Sequence, residues 1–153
     1  MKSFKSIFTG IFLIFSLSNT VNAQTLDSPN VESEIKEAAH KEQNAFKEGN
    51  CEQVLDLMDN EITFLANGKK VPSKQIISKF CNSIPRPFKE PISDKLEIYA
   101  LSNESGYTIR TFEYPKDDTT NMQEYVTKIW KRIEGKWKIT HLHSTVKEIP
   151  ISD

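Results

Sequence analysis

Glycine is scarce in this chain. The five glycines among 153 residues fall in no G-x-S-x-G elbow and no phosphate-cradling loop, so neither a nucleophile elbow nor a phosphate-loop enzyme is supported. Histidine is scarcer still: His40, His141 and His143 are the only three. Two cysteines, Cys51 and Cys81, have no sequence neighbour that would activate a thiolate, which argues against a cysteine nucleophile. Past residue 23 no run approaches the roughly 20 apolar residues that a spanning helix needs. Internal repeats and low-complexity tracts are absent. So is any excess of positive charge, and with it a general electrostatic reason to bind nucleic acid or anionic membrane.

What is present begins with a leader. Lys2 and Lys5 precede the apolar run IFTGIFLIFSLS, and VNA leads to Gln24. This is the pattern of a secretory signal peptide over 1–23, cleaved after Ala23. Losing Lys2 and Lys5 from 20 basic residues leaves 18 against 21 acidic, a formal charge of −3. The expected location is secreted or periplasmic, with no membrane attachment after cleavage. An exported chain meets an oxidising compartment, so Cys51 and Cys81 are expected to pair; two buried free thiols are the alternative. The mature chain, about 130 residues, is long enough for one domain with its own core. The expected division is a flexible lead-in over 24–30 and a domain over 31–149.

Periodicity sets the elements. Val31, Ile35, Ala38, Ala39, Ala45 and Phe46 mark one face of an amphipathic helix that Gly49 ends. Asn50, with Gln53 three residues on, caps a short second helix buried through Val54, Leu55, Leu57 and Met58. EITFLANG and KKV form a hairpin around Asn67-Gly68. Ser73 caps a third helix, KQIISKFCNSI, and Pro85 and Pro87 stop it. The segment IPRPF is read as a rigid connector; the alternative is a pocket-closing segment with Arg86 at its entrance. The second half, DKLEIYALS, GYTIRTFEY, MQEYVTKIWKRI and KWKITHLHSTV, alternates as strands. The class is α+β, with helices on one face of a curved antiparallel sheet.

The order of elements, with GNCEQVLDLMDNEITFLANG early and KIWKRIEGKWKITHLHS late, resembles the nuclear-transport-factor-2-like superfamily. Within it the chain is similar to SnoaL-like domains and to the association domain of calcium/calmodulin-dependent kinases. The late motif is carried by Ile129, Trp130, Arg132, Glu134, Gly135, Lys136, Trp137, Ile139, His141, His143 and Ser144 or Thr145. The resemblance spans nearly all of residues 31–147. It implies a cone: a curved antiparallel sheet wrapped around three N-terminal helices, with a pocket inside. Members include enzymes, binding proteins and assembly modules, so the fold does not give the function.

Spacing i, i+2 on a strand places Trp137, Ile139, His141 and His143 on one face. Two histidines chelate a metal only with further ligands, and no spacing ties His40 to them, so no metal site is expected. A three-residue loop Ile133-Glu134-Gly135 would pair Arg132 with Lys136. Val126, Lys128, Trp130, Thr140 and Leu142 then share one face, and Tyr125, Thr127, Ile129, Ile139, His141 and His143 the other. A two-residue loop would instead bring Lys128 and His141 together. The kinase resemblance implies that Lys128 points inward and the histidine face outward, where this fold commonly forms a homodimer. The pocket candidates are therefore Lys128, Trp130, Arg110, Tyr107, Glu124, Thr140 and Leu142. The candidates for a dimer face are Trp137, Ile139, His141 and His143. A strand-borne cation in a concave cavity, Lys128 or Arg110, would suit a carboxylate or other anion, unless Glu124 and Tyr107 pair with it.

The isomerase members of the superfamily need a carboxylate and a tyrosine donor. Here those positions fall near Leu65-Ala66 and Glu42. The dehydratase members use a His-Asp pair; His40 and Asp56 or Asp59 supply the residue types, and their spacing decides nothing. No complete catalytic constellation is visible. The expected function is an exported, cofactor-free domain that binds a small apolar or anionic molecule or is otherwise non-catalytic. Two alternatives stand beside it: a SnoaL-like enzyme (isomerase, cyclase or dehydratase type) acting by acid–base chemistry on a small hydrophobic substrate, and a homo-oligomeric assembly module.

Overall fold

The computed structural model describes residues 26–71 and 74–151. The expected leader over 1–23, the first residues of the lead-in and the capping Ser73 lie outside the described residues.

Helix α1 runs Ser28–Glu48. It starts inside the segment expected to be a loose lead-in, because Pro29 sits in the first turn, where a fixed φ and a missing N–H cost nothing. Gly49 closes it at φ 81° with its N–H on the Ala45 and Phe46 carbonyls. Helix α2, Cys51–Asp56, is capped as expected: the Asn50 side chain accepts the Gln53 N–H. Strands β1 (Met58–Ala66) and β2 (Lys69–Val71) form the Asn67-Gly68 hairpin, and α3 follows over Lys74–Ser83. A Cys51–Cys81 disulfide joins α2 to α3, Cα to Cα 5.8 Å. Closing 30 residues of chain limits the unfolded ensemble by about 3–4 kcal/mol in the chain-entropy model.

The IPRPF segment is a connector. Arg86 donates to the carbonyls of Phe46, Cys81 and Ile84 at 2.9–3.1 Å, and its guanidinium lies over the Phe46 and Phe88 rings. The cation thus satisfies carbonyls at the ends of α1 and α3.

Strands β3 (Ser93–Ser102), β4 (Ser105–Pro115), β5 (Thr120–Ile133) and β6 (Lys136–Pro150) form an antiparallel meander. The six-stranded order is β2-β1-β6-β5-β4-β3, and β1 pairs parallel to β6. The sheet is therefore mixed, where an antiparallel one was expected. Hairpin chemistry predicts only neighbours in sequence, and β1 meets β6 after a long excursion through α3 and four strands. The architecture is an open α+β cone with α1 packed across the inner face on β3, β4 and β6.

The β5–β6 register corrects the expected turn. Glu134 and Gly135 both have positive φ, 50° and 75°, and Ile133 pairs with Lys136. This is a two-residue turn whose twist matches its strands. A β-bulge follows: Trp130 pairs with Ile139, but Ile129 pairs with His141, leaving Thr140 extra. Trp137 and Ile139 consequently face inward, 8% and 0% exposed, while His141 and His143 face outward. The four do not share a face, so Trp137 and Ile139 are core residues and not part of an outer surface. Beyond the bulge the shortened turn and the extra residue together move the register by two, which restores the expected faces with different partners. Lys128 stands opposite Leu142, and Lys128 and His141 lie on opposite faces.

A core lies between α1, α2 and the inner sheet face. Val31, Ile35, Ala39, Val54, Met58, Trp130 and Ile139 are buried together. Gly106 lets α1 approach β4: a Cβ there would lie 2.5 Å from Ile35 Cδ1 and 2.6 Å from the Tyr99 carbonyl.

Candidate functional site

Inward-facing positions on adjacent strands gather one polar cluster on the concave side. Strand alternation brings Arg110, Phe112 and Tyr114 from β4, Glu124 and Lys128 from β5, and Leu142, Ser144 and Val146 from β6 to this face. The β3 positions Asp94 and Leu96 complete it.

Both cations are already paired. Lys128 Nζ lies 2.5 Å from Glu42 Oε2 of α1, with the two side chains only 12% and 7% exposed. Glu42 occupies the apolar face of α1 with Ile35, Ala39 and Ala45, a placement tolerated because Lys128 supplies the counter-charge. Arg110 grips Asp94 with two bonds of 2.8 and 2.6 Å and lies over the Phe112 ring at 4.4 Å. The partners of these cations are thus Glu42 and Asp94, not Glu124 and Tyr107.

Glu124 accepts a short hydrogen bond from Ser144 Oγ, 2.5 Å. Burial pushes its carboxyl above the usual carboxylate range; the Ser144 bond and the charges of Arg110 and Lys128 offset that in part. Tyr114 is raised as well, by burial and then by the charge of Glu124. Phe112 and Tyr114 stack at 5.7 Å between centroids and form the aromatic flank.

The remaining pocket candidates lie elsewhere. Tyr107 pairs with Ile129 on the outer face and stacks on Tyr99 at 4.7 Å. Trp130 is fully buried and donates to Thr108 Oγ1 at 3.1 Å, which makes it core. Thr140 occupies the bulge, with its hydroxyl toward the Ile129 carbonyl, and Leu142 is buried beneath the cluster. Sequence reasoning missed Glu42, Asp94, Ser144, Phe112 and Tyr114. A period of two from Arg110 and from Leu142 would have found Phe112, Tyr114 and Ser144. A carboxylate at helical spacing within an apolar face would have flagged Glu42.

Two open surface depressions, of about 440 and 550 Å³, lie away from this cluster. One is beside the disulfide, at Gly49, Cys51 and Asn82; the other is between β1, β2 and α3, at Ile62, Lys70 and Lys74. Among the described residues, no group of three or more His, Cys, Asp or Glu side chains is arranged to hold a metal ion. No described helix is long and apolar enough to cross a membrane.

The outer sheet face is different in kind. Tyr99, Tyr107, Ile109, Tyr125, Thr127, Ile129, His141 and His143 lie there. His141 Nδ1 shares a 2.6 Å hydrogen bond with Thr63 of β1.

No family model matches the sequence, and no curated protein matches it. Solved structures do. An NTF2-like protein of unknown function from Shewanella oneidensis is 17% identical with a TM-score of 0.60, over 74% of this chain and 97% of that one. A cystatin-like fold protein from Burkholderia xenovorans is 16% identical at 0.63, over 80% and 95%. The CamKII hub homology domain of Chlamydomonas reinhardtii is 16% identical at 0.60, over 75% and 97%. At such identities the likeness is one of fold. The chain has the nuclear-transport-factor-2-like fold, as its late hairpin motif implied.

Proposed function

We propose that this nuclear-transport-factor-2-like domain is an exported, non-catalytic binder of a small molecule held on the concave face around Glu124. The observation that carries this reading is Glu124 itself. It is a half-buried carboxyl with one side-chain donor, Ser144, beside the Phe112 and Tyr114 rings and at the edge of a packed core. One or two fixed polar groups against aromatic and aliphatic walls is the usual make-up of a small-molecule site. Non-catalytic action is favoured because Lys128 and Arg110 are held by Glu42 and Asp94 and Ser144 has no histidine to activate it. Export is supported by the leader pattern and by the disulfide, which fits an oxidising compartment.

The test is a fragment screen by two-dimensional amide NMR. Binders should shift the amides of Phe112, Glu124, Ser144 and Val146 together. Shifts confined to the two surface depressions would overturn the placement. Turnover of a bound fragment that is lost in Glu124→Gln would replace binding by acid–base catalysis.

A second reading, homodimerisation through the outer sheet face, is favoured by Tyr99 and Tyr125. They remain 39% and 40% exposed on the face that also carries Ile109 and Ile129. The hub homology domain among the similar structures supports the same reading. Sedimentation equilibrium should give a dimer that Tyr125→Glu converts to monomer; a monomeric wild-type protein would end this reading.

A further inference from the structure

We infer that the concave face selects an organic cation, a small molecule whose protonated amine docks on Glu124 and whose apolar body lies against Phe112, Tyr114 and Val146. This rests on the small-molecule reading above and names its ligand class.

The reason is a charge count on the inner face. Lys128 is matched by Glu42, Arg110 by Asp94, and at the rim Glu148 by Lys116 at 2.6 Å. Glu124 is the carboxyl in this group without a cation of its own. Its Oε1 takes the Ser144 hydroxyl, and no described residue donates to its Oε2. Arg110 on β4 and Lys128 on β5 act on it only through space. A half-buried carboxylate in that position lacks a counter-ion, and a bound ammonium would supply one.

The surroundings suit the same guest. Phe112 stands directly opposite Glu124 on β4, Val146 directly opposite it on β6, and Tyr114 is two residues beyond Phe112. A carboxylate beside aromatic rings attracts an ammonium by charge and by the ring quadrupole together. An anionic guest would meet two cations already neutralised and one carboxylate in excess. A neutral guest would cover the carboxyl and bring it no counter-charge.

The proposal carries a proton linkage. Burial disfavours the charged form of Glu124 in the empty site. A cation favours that form, so amine binding releases a proton, and affinity weakens as pH falls through the raised titration range of Glu124. The titratable or charged groups on the elements packed around Glu124 are Arg110 and Tyr114 on β4, Lys128 on β5, Glu148 on β6, Asp94 on β3 and Glu42 on α1.

Three probes with one ring separate the possibilities: 2-phenylethylamine, 2-phenylethanol and 3-phenylpropanoate, titrated by amide NMR at neutral pH and again near pH 5. The amine should shift Phe112, Glu124 and Ser144 and bind about tenfold tighter than the alcohol. The propanoate should be weakest. Glu124→Gln should remove the amine's advantage over the alcohol. Ser144→Ala, which keeps the charge, should retain the amine preference and serves if Glu124→Gln fails to fold. Equal binding of amine and alcohol, or tighter binding of the propanoate, overturns the cation assignment while leaving the small-molecule reading intact. If none of the three moves the concave amides at millimolar concentration, both fall.

Discussion

The indole N–H of Trp137 donates to Glu34 Oε2 at 2.8 Å, which ties the last strand of the sheet to the first helix. Arg132, opposite Trp137 on β5, donates to the same oxygen at 2.5 Å and lies over the Trp137 ring at 4.8 Å. The most recognisable residues of the late hairpin therefore hold the fold together and stand apart from the concave cluster.

Trp137→Phe should remove one donor from Glu34 and cost about 1 kcal/mol in urea unfolding. The same bond, with Arg132, holds Glu34 below its usual range. A depressed carboxylate stabilises the fold above its unfolded-state value and loses that contribution as pH falls through the folded value. Glu34→Gln should accordingly flatten the acid limb of the stability profile below about pH 5. An unchanged limb would remove Glu34 from the account.

Lys128→Met should destabilise by about 3–5 kcal/mol, because it strands the buried Glu42 carboxylate. The double variant Lys128→Met, Glu42→Leu should recover most of that loss. Thermal unfolding of the two singles and the double closes the cycle; additive losses would mean that the pair is not coupled.

Replacing Cys51 and Cys81 by alanine should lower stability by about 3–4 kcal/mol. The protein recovered from the exported fraction should show no reactive thiol and should begin at Gln24 by mass spectrometry. Two titratable thiols in native protein would contradict the pairing, and an intact Met1 would contradict the leader.

Gly106→Ala should be costly for its size, about 1–3 kcal/mol. The new methyl group meets the Tyr99 backbone as well as the Ile35 side chain, and only the latter can move.

Trp137→Ala is not a test of the outer surface, since the residue is buried against α1. Loss of that side chain should unfold the protein before it informs on assembly. His141→Ala and Tyr125→Glu leave the inner packing alone and report on the outer face. The same two changes should leave amine binding on the concave side unaltered.

Local physics made much of this chain readable from its residues. The apolar spacing of α1, the Gly49 stop, the Asn50 cap, the Asn67-Gly68 turn and the alternation of the last four strands each depend on neighbours within a few positions, and each stands in the structure. Tertiary contacts decided the rest. Nothing within a single strand marks the bulge at Thr140, which turns Trp137 and Ile139 to one side and His141 and His143 to the other. Nothing in β1 announces a parallel partner some 80 residues away. Lys128 and Arg110 could be recognised as cations on strands, but their meaning rests on acids brought by another element, Glu42 at 86 residues' distance and Asp94 across a hairpin. Charge balance is a property of space and not of chain order, so only the folded sheet could leave Glu124, among the described carboxyls of the concave cluster, without a cation of its own.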